Sequence, residues 1–556
     1  MTRRLSRIIL VAALAPAAHV ATAQHLLQRV DQALSPAEEH FTAARANATD
    51  VAIKTLHLNP AFTHWRQQND SASRGRNSIV YSGVAAGKGE GDFLPYAGNG
   101  NTDFRIGAYG EYAVKQSGTL TGNIQYAQGT HRNIGWSALR MPDLYLPYFS
   151  TDSCGGNYKY ESYMAEGDYG FALGQWTLGV KASFYGEQAH RMTDPRALNN
   201  TTWLRFGAGA ARQVGHHLLM ADAGYGRNKQ HMQLRYWRPG QQDRFFVCYG
   251  FGLYDNRQSA VSFGKSRMYY VDEFNGRLQY LSTGQRPLRL HASLAYAYSH
   301  MQTEESDIYN LYESATHNIE PMVRLTYATN DDWHFQLSAY GFVQSRKGYE
   351  NIIEEYLIDK ENNIYDFRTI DTQQNYSRKR HQLTTAIRAG RLMGHTDFSL
   401  QGGLTTEGHE EKYKNGNYSI KVHALTPHVK GSVEYQNKAN LVAADLLYAR
   451  RMVAQHEYNV NMQNQQIAHL DFQQAFAPYA WMACHQHQVA ASVTWQHHFR
   501  RLSVGINGAL YLALGHREDD VAYTQQVGFA SSAPMISTLP DKNEERWGAL
   551  TLFVNF

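Results

Sequence analysis

From about residue 76 to the C-terminus, apolar and polar positions alternate. Along 288–298, Leu288, Leu290, Ala292, Leu294, Tyr296 and Tyr298 fall on one side, and Arg289, His291 and Ser293 on the other. Along 176–186, Trp176, Leu178, Val180, Ala182 and Phe184 alternate with Thr177, Gly179, Lys181 and Ser183. Leu502, Val504, Ile506, Leu510 and Leu512 alternate with Ser503, Gly505, Asn507 and Tyr511, and the beat recurs at 104–114, 119–127, 204–212, 274–280, 323–328, 333–343, 398–405 and 429–435. Successive strand residues point to opposite faces, so each run predicts a strand with one apolar face. A soluble sandwich alternates too. The connections separate the two cases. Short polar links (116–118, 174–175, 215–216, 330–332, 393–394, 436–438) alternate with long ones near 87–103, 128–159, 188–201, 228–262, 301–318, 346–379 and 452–487. Short turns at one end and long loops at the other are the topology of an outer-membrane barrel. The fold class is therefore all-β, a transmembrane antiparallel up-and-down barrel of about 18 strands (roughly 16 to 20). Within 469–500, parity favours one crossing strand near 488–498, with 475–484 as its outer extension. At this strand number side chains no longer fill the interior, so the lumen is either aqueous or plugged.

The first 75 residues break the pattern. Arg3, Arg4 and Arg7, the apolar run Ile8 to Ala18, and Ala21-Thr22-Ala23 read as a secretory leader over 1–23, with export leaving Gln24 first. Leu26, Leu27, Val30, Ala33 and Leu34 then recur at helical spacing, and Ser35-Pro36-Ala37-Glu38 fits a capping box with Pro at the first helical position. Residues 24–75 thus read as a small, partly helical periplasmic or plug-like segment carrying Asn59-Pro60-Ala61 at a turn, and 76–556 as the barrel with long extracellular loops.

Composition sharpens this. The chain has 556 residues, of which 18% are charged and 12% aromatic, with 45 Gly and only 14 Pro. Mean hydropathy is −0.52. After the leader no apolar stretch reaches the roughly 20 residues a spanning helix needs, and the aromatic content argues against disorder. Three of the 53 basic residues lie in the leader, against 49 acids, so the exported chain is nearly neutral and nucleic acid is not an expected partner. The three cysteines cannot form a disulfide framework. Cys154 and Cys248 fall in segments that read as surface loops, and whether they pair stays open.

The last strand sets Leu550, Leu552, Val554 and Phe556 on one face, after Trp547. These five residues resemble the C-terminal segment that hands bacterial barrels to their assembly machinery, so that machinery and outer-membrane lipid are expected partners. Gln24 after the leader, Leu58-Asn59-Pro60-Ala61-Phe62, the Tyr-rich strands and Phe556 together resemble a Bacteroidota outer-membrane β-barrel family known only as a domain of unknown function. The Asn-Pro-Ala turn is also similar to the N-terminal hatch of outer-membrane fatty-acid transporters, which implies hydrophobic solute uptake as one alternative.

No catalytic constellation emerges, and neither an enzyme activity nor a cofactor is expected. The run Gly83-Val84-Ala85-Ala86-Gly87-Lys88-Gly89 is one residue short of a phosphate loop and lacks the Ser/Thr after Lys, so it reads as the start of an extracellular loop. His409-Glu410 and His456-Glu457 each lack the second His of a zinc protease motif. Cys484, His485 and His487 offer at best two ligands on one face, short of the three or four a metal needs. Assigning the apolar beat to lipid puts Arg105, Lys181, Arg205, Arg277, Arg289, Arg324, Arg388 and Lys430 in the lumen, with Glu111 and Glu434 as acids. Basic rings favour anions, so a mildly anion-preferring lumen is expected unless carboxylates of the N-terminal segment or loops pair with them. The first functional expectation is a channel or uptake pore for a small polar or anionic solute. The second is a non-conducting barrel whose Tyr-rich loops, such as Met141 to Phe149, dock surface lipoproteins or a TonB-dependent receptor. Only about 50 residues precede the first strand after the leader, too few for the globular plug of such a receptor, so active uptake would need another protein.

Overall fold

The computed structural model describes residues 58–556 except 70–76, 92–95, 97, 115–116, 141, 153, 238–244, 251–253, 256–265, 284–286, 306–309, 330–331, 363, 415–417, 460–478, 501, 518–521, 528–530 and 537–541. The leader and the helical reading of 24–57 lie outside the described residues. A short helix, α1 (Phe62–Asn69), precedes the wall. The wall begins with β1 (Asn77–Gly91), β2 (Gly100–Val114) and β3 (Gly118–Ile134). A three-residue strand β4 (Ser150–Asp152) follows, and then four wall strands: β5 (Gly156–Leu173), β6 (Trp176–Arg191), β7 (Arg196–Val214) and β8 (His217–Arg235). The next connection carries β9 (Phe245–Cys248) and β10 (Tyr254–Asp255). The wall resumes with β11 (Ser266–Ser282), β12 (Leu288–Glu305), β13 (Tyr312–Ala328), β14 (Trp333–Asp359), β15 (Ile364–Met393), β16 (Thr396–Tyr413), β17 (Tyr418–Gln436), β18 (Asn440–Asn459), β19 (His485–His498) and β20 (Ser503–His516). β21 (Ala522–Val527) and β22 (Ser531–Ile536) pair with each other, and β23 (Lys542–Asn555) returns to the wall.

Eighteen of these strands form one antiparallel sheet that closes on itself, because β1 pairs with β2 on one edge and β23 on the other. Closure leaves no unpaired edge, which is the condition for crossing a membrane with strands. The apolar beat faces outward: Leu294 and Tyr296 are exposed while His291 and Ser293 are buried, and Leu550, Leu552 and Phe556 are exposed while Phe553 is buried. The belt of exposed Leu, Val, Ile and aromatic side chains is the lipid-facing surface of a transmembrane barrel. Replacing one of them should be costly in proportion to depth. Ile387, 64% exposed and about midway along β15's membrane stretch, is one such position. Ile387→Arg should destabilise the barrel by about 2–4 kcal/mol, read as a lower urea midpoint in detergent-to-lipid refolding.

Several boundaries differ from the sequence reading. The run Gly83 to Gly89 lies inside β1, fully paired with β2 and β23, and does not begin a loop. The stretches 188–201 and 346–379 are mostly strand, with β6 and β7 joined by a four-residue turn and β14 and β15 running on as a long hairpin. Only one strand crosses within 485–498; residues 479–482 are a helical turn rather than an extension of it. Trp547 has the opposite parity to Leu550 and Leu552 and packs inward beside Trp481 and Tyr511.

Candidate functional site

Two pieces of chain that are not wall enter the lumen, one from each end. From the long-loop end comes the connection between β3 and β5, with β4 paired to β9 in a small inner sheet. Its contacts run along one arc of the wall, from β5 to β15. Toward the β5 end Tyr145 donates to Asn228 Oδ1 at 2.7 Å, Asn199 donates to the Ala138 carbonyl at 3.0 Å, and the Ser150 amide donates to the Tyr269 hydroxyl at 2.9 Å. Toward the β15 end Arg346 donates to the Asp143 and Leu146 carbonyls, Arg378 pairs with Asp143 at 3.3 Å, and Tyr148 stacks on Tyr312. The segment is thus bonded along about half of the wall's circumference, inside the lumen.

Charge fastens it. Arg140 pairs with Glu187 of β6, and Arg191 of β6 pairs with Asp152 at 2.5 Å, with all four side chains almost fully buried. A buried ion pair contributes little net energy when whole, but losing one partner strands a charge at a cost of about 3–5 kcal/mol. Such pairs therefore fix where the loop sits. Burial works against ionisation of Asp143, but Arg378, Arg346 and Arg380 outweigh it and hold the carboxyl below its ordinary value. A lowered carboxylate pKa stabilises the seated loop at every pH above the unfolded value of about 4, and that support is lost only as pH falls through the lowered value. Near-UV circular dichroism of the buried tyrosines should accordingly be flat from pH 8 to pH 5 and change only in strong acid.

The tyrosine-rich stretch is thus not an exposed contact loop. Tyr145, Leu146, Tyr148 and Phe149 are each at most 1% exposed. Cys248 likewise lies in the lumen, where burial pushes its thiol pKa up; Cys154 is half-buried, and all three cysteines are free. These positions read as surface because their partners, such as Arg346 for Leu146, lie some 200 residues away.

From the short-turn end comes Leu58 to Asn69. Asn59 Oδ1 accepts from the Ala61 amide at 2.9 Å, an Asx turn, while its Nδ2 donates to the Ala221 carbonyl at 3.0 Å. The turn sits in a notch made by three glycines in register on neighbouring strands, Gly170, Gly179 and Gly209. A Cβ at Gly179 would lie 2.4 Å from the Pro60 carbonyl carbon, and one at Gly209 would lie 2.4 Å from Asn59 Oδ1. Only glycine admits the turn there. α1 is then tied down by His64 to Thr119 at 2.9 Å and by Arg66 to Glu111 at 2.5 Å.

Beside Leu58 and Pro60 lies a partly open cavity of about 120 Å³, lined otherwise by wall residues of β5 to β13. That is room for roughly eight to twelve waters. Three of the eight expected lumen cations meet there, Lys181, Arg205 and Arg277. Arg105, Arg289, Arg324, Arg388, Lys430 and Glu434 share the inward register elsewhere around the wall, and Glu111 serves α1. The sequence reading missed the acids beside the cations. Lys181 pairs with Glu166 at 3.0 Å and stands 4.0 Å from Asp168, Lys430 pairs with Asp445 at 3.3 Å, and Asp222 faces Arg277 across the β8–β11 ladder. The basic excess behind the anion expectation is therefore largely balanced. Cys484, His485 and His487 do not converge: Cys484 points at the Ala480 carbonyl and His487 bonds Tyr448 on the outer surface. Among the described residues no group of three potential metal ligands is found.

The family model that matches is DUF6850, a family of unknown function, over residues 61–556. The chain belongs to this family. No curated protein matches it. Similar solved structures include the copper transporter OprC (11% identity, 86% of this chain and 80% of that one, TM-score 0.38). They also include the unliganded ferric citrate transporter FecA (9%, 85% and 78%, 0.38) and the FrpB iron transporter from Neisseria meningitidis (9%, 88% and 82%, 0.37). The match of this DUF6850 member begins at Ala61, within the Asn-Pro-Ala turn, so α1 and the whole wall fall inside the family model.

Proposed function

We propose that this barrel is a gated outer-membrane pore for uptake of a small polar solute. The observation that carries the reading is that two pieces of chain outside the wall enter the lumen, held there by side-chain contacts, and that a charged cavity lies beside one of them. A structural barrel has no need of a hollow lined by Lys181, Glu166, Arg205 and Asp222. The same lining argues against a hydrophobic solute, and the acids beside the cations argue against a simple anion pore. The leader read in residues 1–23 and the resemblance read from the sequence support Sec export and a Gram-negative, Bacteroidota outer membrane as the location. Uptake should be measured in cells lacking the barrel and in the same cells complemented. At least one small polar solute should enter at least fivefold faster with the barrel; equal entry across a panel of sugars, amino acids and organic acids would refute the pore.

A second reading, accessory to a surface lipoprotein or TonB-dependent receptor, has one observation in its favour. β14 and β15 have 27 and 30 residues, far beyond the roughly 10 needed to cross a bilayer. The projecting hairpin exposes Ile352, Leu357, Ile358, Ile364, Tyr365 and Ile370. Co-purification of a partner that is lost on deleting residues 352–370, without loss of solute uptake, would favour it.

A further inference from the structure

We infer that the chamber is a binding site for a small zwitterion, a solute bearing both an ammonium and a carboxylate. This rests on the uptake reading and names its substrate class. Three inward rows of the wall meet at the chamber. The middle row runs Asp168, Lys181, Gly207, Gly224, Asn275, Ala297 and Asn318 across adjacent strands, so glycine and alanine hollow out its centre. In the row below, Asp222 and Arg277 are direct cross-strand neighbours between Gly209 and Ala295. Opposite charges so placed ordinarily close into an ion pair. Among the described residues these do not: Asp222 Oδ2 is buried with no hydrogen-bond partner there, and neither residue takes part in a direct ion pair. Two more buried acceptors stand unused on the same lining. Asn318 is 2% exposed and spends its amide on Glu320 at 2.6 Å, leaving its Oδ1 unbonded, and Glu166 keeps Oε2 unbonded while Oε1 meets Lys181.

The unmet demand is therefore of two kinds on one lining. Asp222, Asn318 and Glu166 present acceptors that want N–H donors, and Arg277 presents a fork of donors that suits a carboxylate bidentately. Water can fill the hollow, so a guest there takes over hydrogen bonds from water, and three acceptors beside one guanidinium fork set which groups that guest must carry. A lone anion would satisfy Arg277 and leave the acceptors bare. A lone cation would do the reverse. A zwitterion with its ends a few bonds apart satisfies both at no net charge.

The test uses the full-length barrel in nanodiscs and calorimetric titration with matched probes: 4-aminobutanoate and β-alanine as zwitterions, butanoate as anion and butylamine as cation. The zwitterions should bind at least tenfold more tightly than butanoate or butylamine. Arg277→Gln and Asp222→Asn should each weaken 4-aminobutanoate binding at least tenfold, with heat-modifiable gel mobility confirming a folded barrel. Equal binding of the three charge types, or no binding of the zwitterions, overturns the inference. Permeation of the same probes through the floor-displaced variant Gly179→Leu tells the two levels apart. If that barrel passes solutes without preferring zwitterions, the substrate class is wrong and the pore stands; if it passes nothing, the pore reading itself fails.

Discussion

A Gly179→Leu barrel should admit small solutes that the parent excludes, with liposome swelling at least tenfold faster. The reason is local and steric. A Cβ at this position meets backbone, 2.4 Å from the Pro60 carbonyl carbon and 2.5 Å from the Ala61 amide nitrogen. Backbone cannot rotate away as the end of a flexible side chain can. Either the strand bends or the turn leaves, and β6 is held by full ladders to β5 and β7. The turn is held by far less: the Asn59 bond to Ala221, the His64 and Arg66 contacts, and burial of Ala61 and Phe62. So the floor lifts and the wall stays. Gly402→Leu is the matching control, because nothing lies within 4 Å of a Cβ there. Swelling that matches the parent, in a barrel shown to be folded by gel mobility, would mean the Asn-Pro-Ala turn does not close the pore.

Asp152→Ala should release the other closure. Among the described residues Arg191 would keep the Pro195 carbonyl, at 2.6 Å, and the face of the Tyr158 ring, and would lie buried without a counter-charge, a cost of about 3–5 kcal/mol. The same carboxylate also accepts from the amides of Cys154 and Gly155 at 2.9 and 3.2 Å, so the end of the inward loop loses its turn as well. Inward seating is favoured only by contacts such as these, so the loop should spend more time outside the lumen. Arg140 is 2% exposed in the parent and thus shielded from trypsin. Cleavage after Arg140, followed by mass spectrometry on intact proteoliposomes, should be at least tenfold faster in the variant. Unchanged resistance at Arg140 would contradict the pairing as the fastener.

The wall was legible because its physics is local. Lipid on one face and lumen on the other impose a two-residue beat, and Leu288 to Leu294 keeps it without interruption. Where both faces meet water the beat fades. Glu354, Glu355, Asp366 and Arg368 sit on the projecting hairpin, and that stretch reads as loop although it is strand. The closures were illegible for a different reason. Met141 to Phe149 has the composition of an exposed contact loop, and the residues that bury 142–149, among them Asn228, Tyr269, Tyr312, Arg346 and Arg378, lie 83 to 235 residues on. The chamber's acids were missed because they lie among glycines, Glu166 and Asp168 flanking Gly167 and Asp222 two residues before Gly224, where inward and outward positions carry no hydrophobic contrast. One signal was present and unread. Gly170, Gly179 and Gly209 fall at matching distances from the tight turns between their strands, which places them in one row, and the Asn-Pro-Ala turn needs such a row.

Current through single barrels in a planar bilayer bears most directly on the doubly closed lumen. The parent should be electrically silent, and the Asp152→Ala, Gly179→Leu double variant, inserted at the same density, should carry a steady current. A parent that conducts continuously, or a folded double variant that stays silent, would contradict the account.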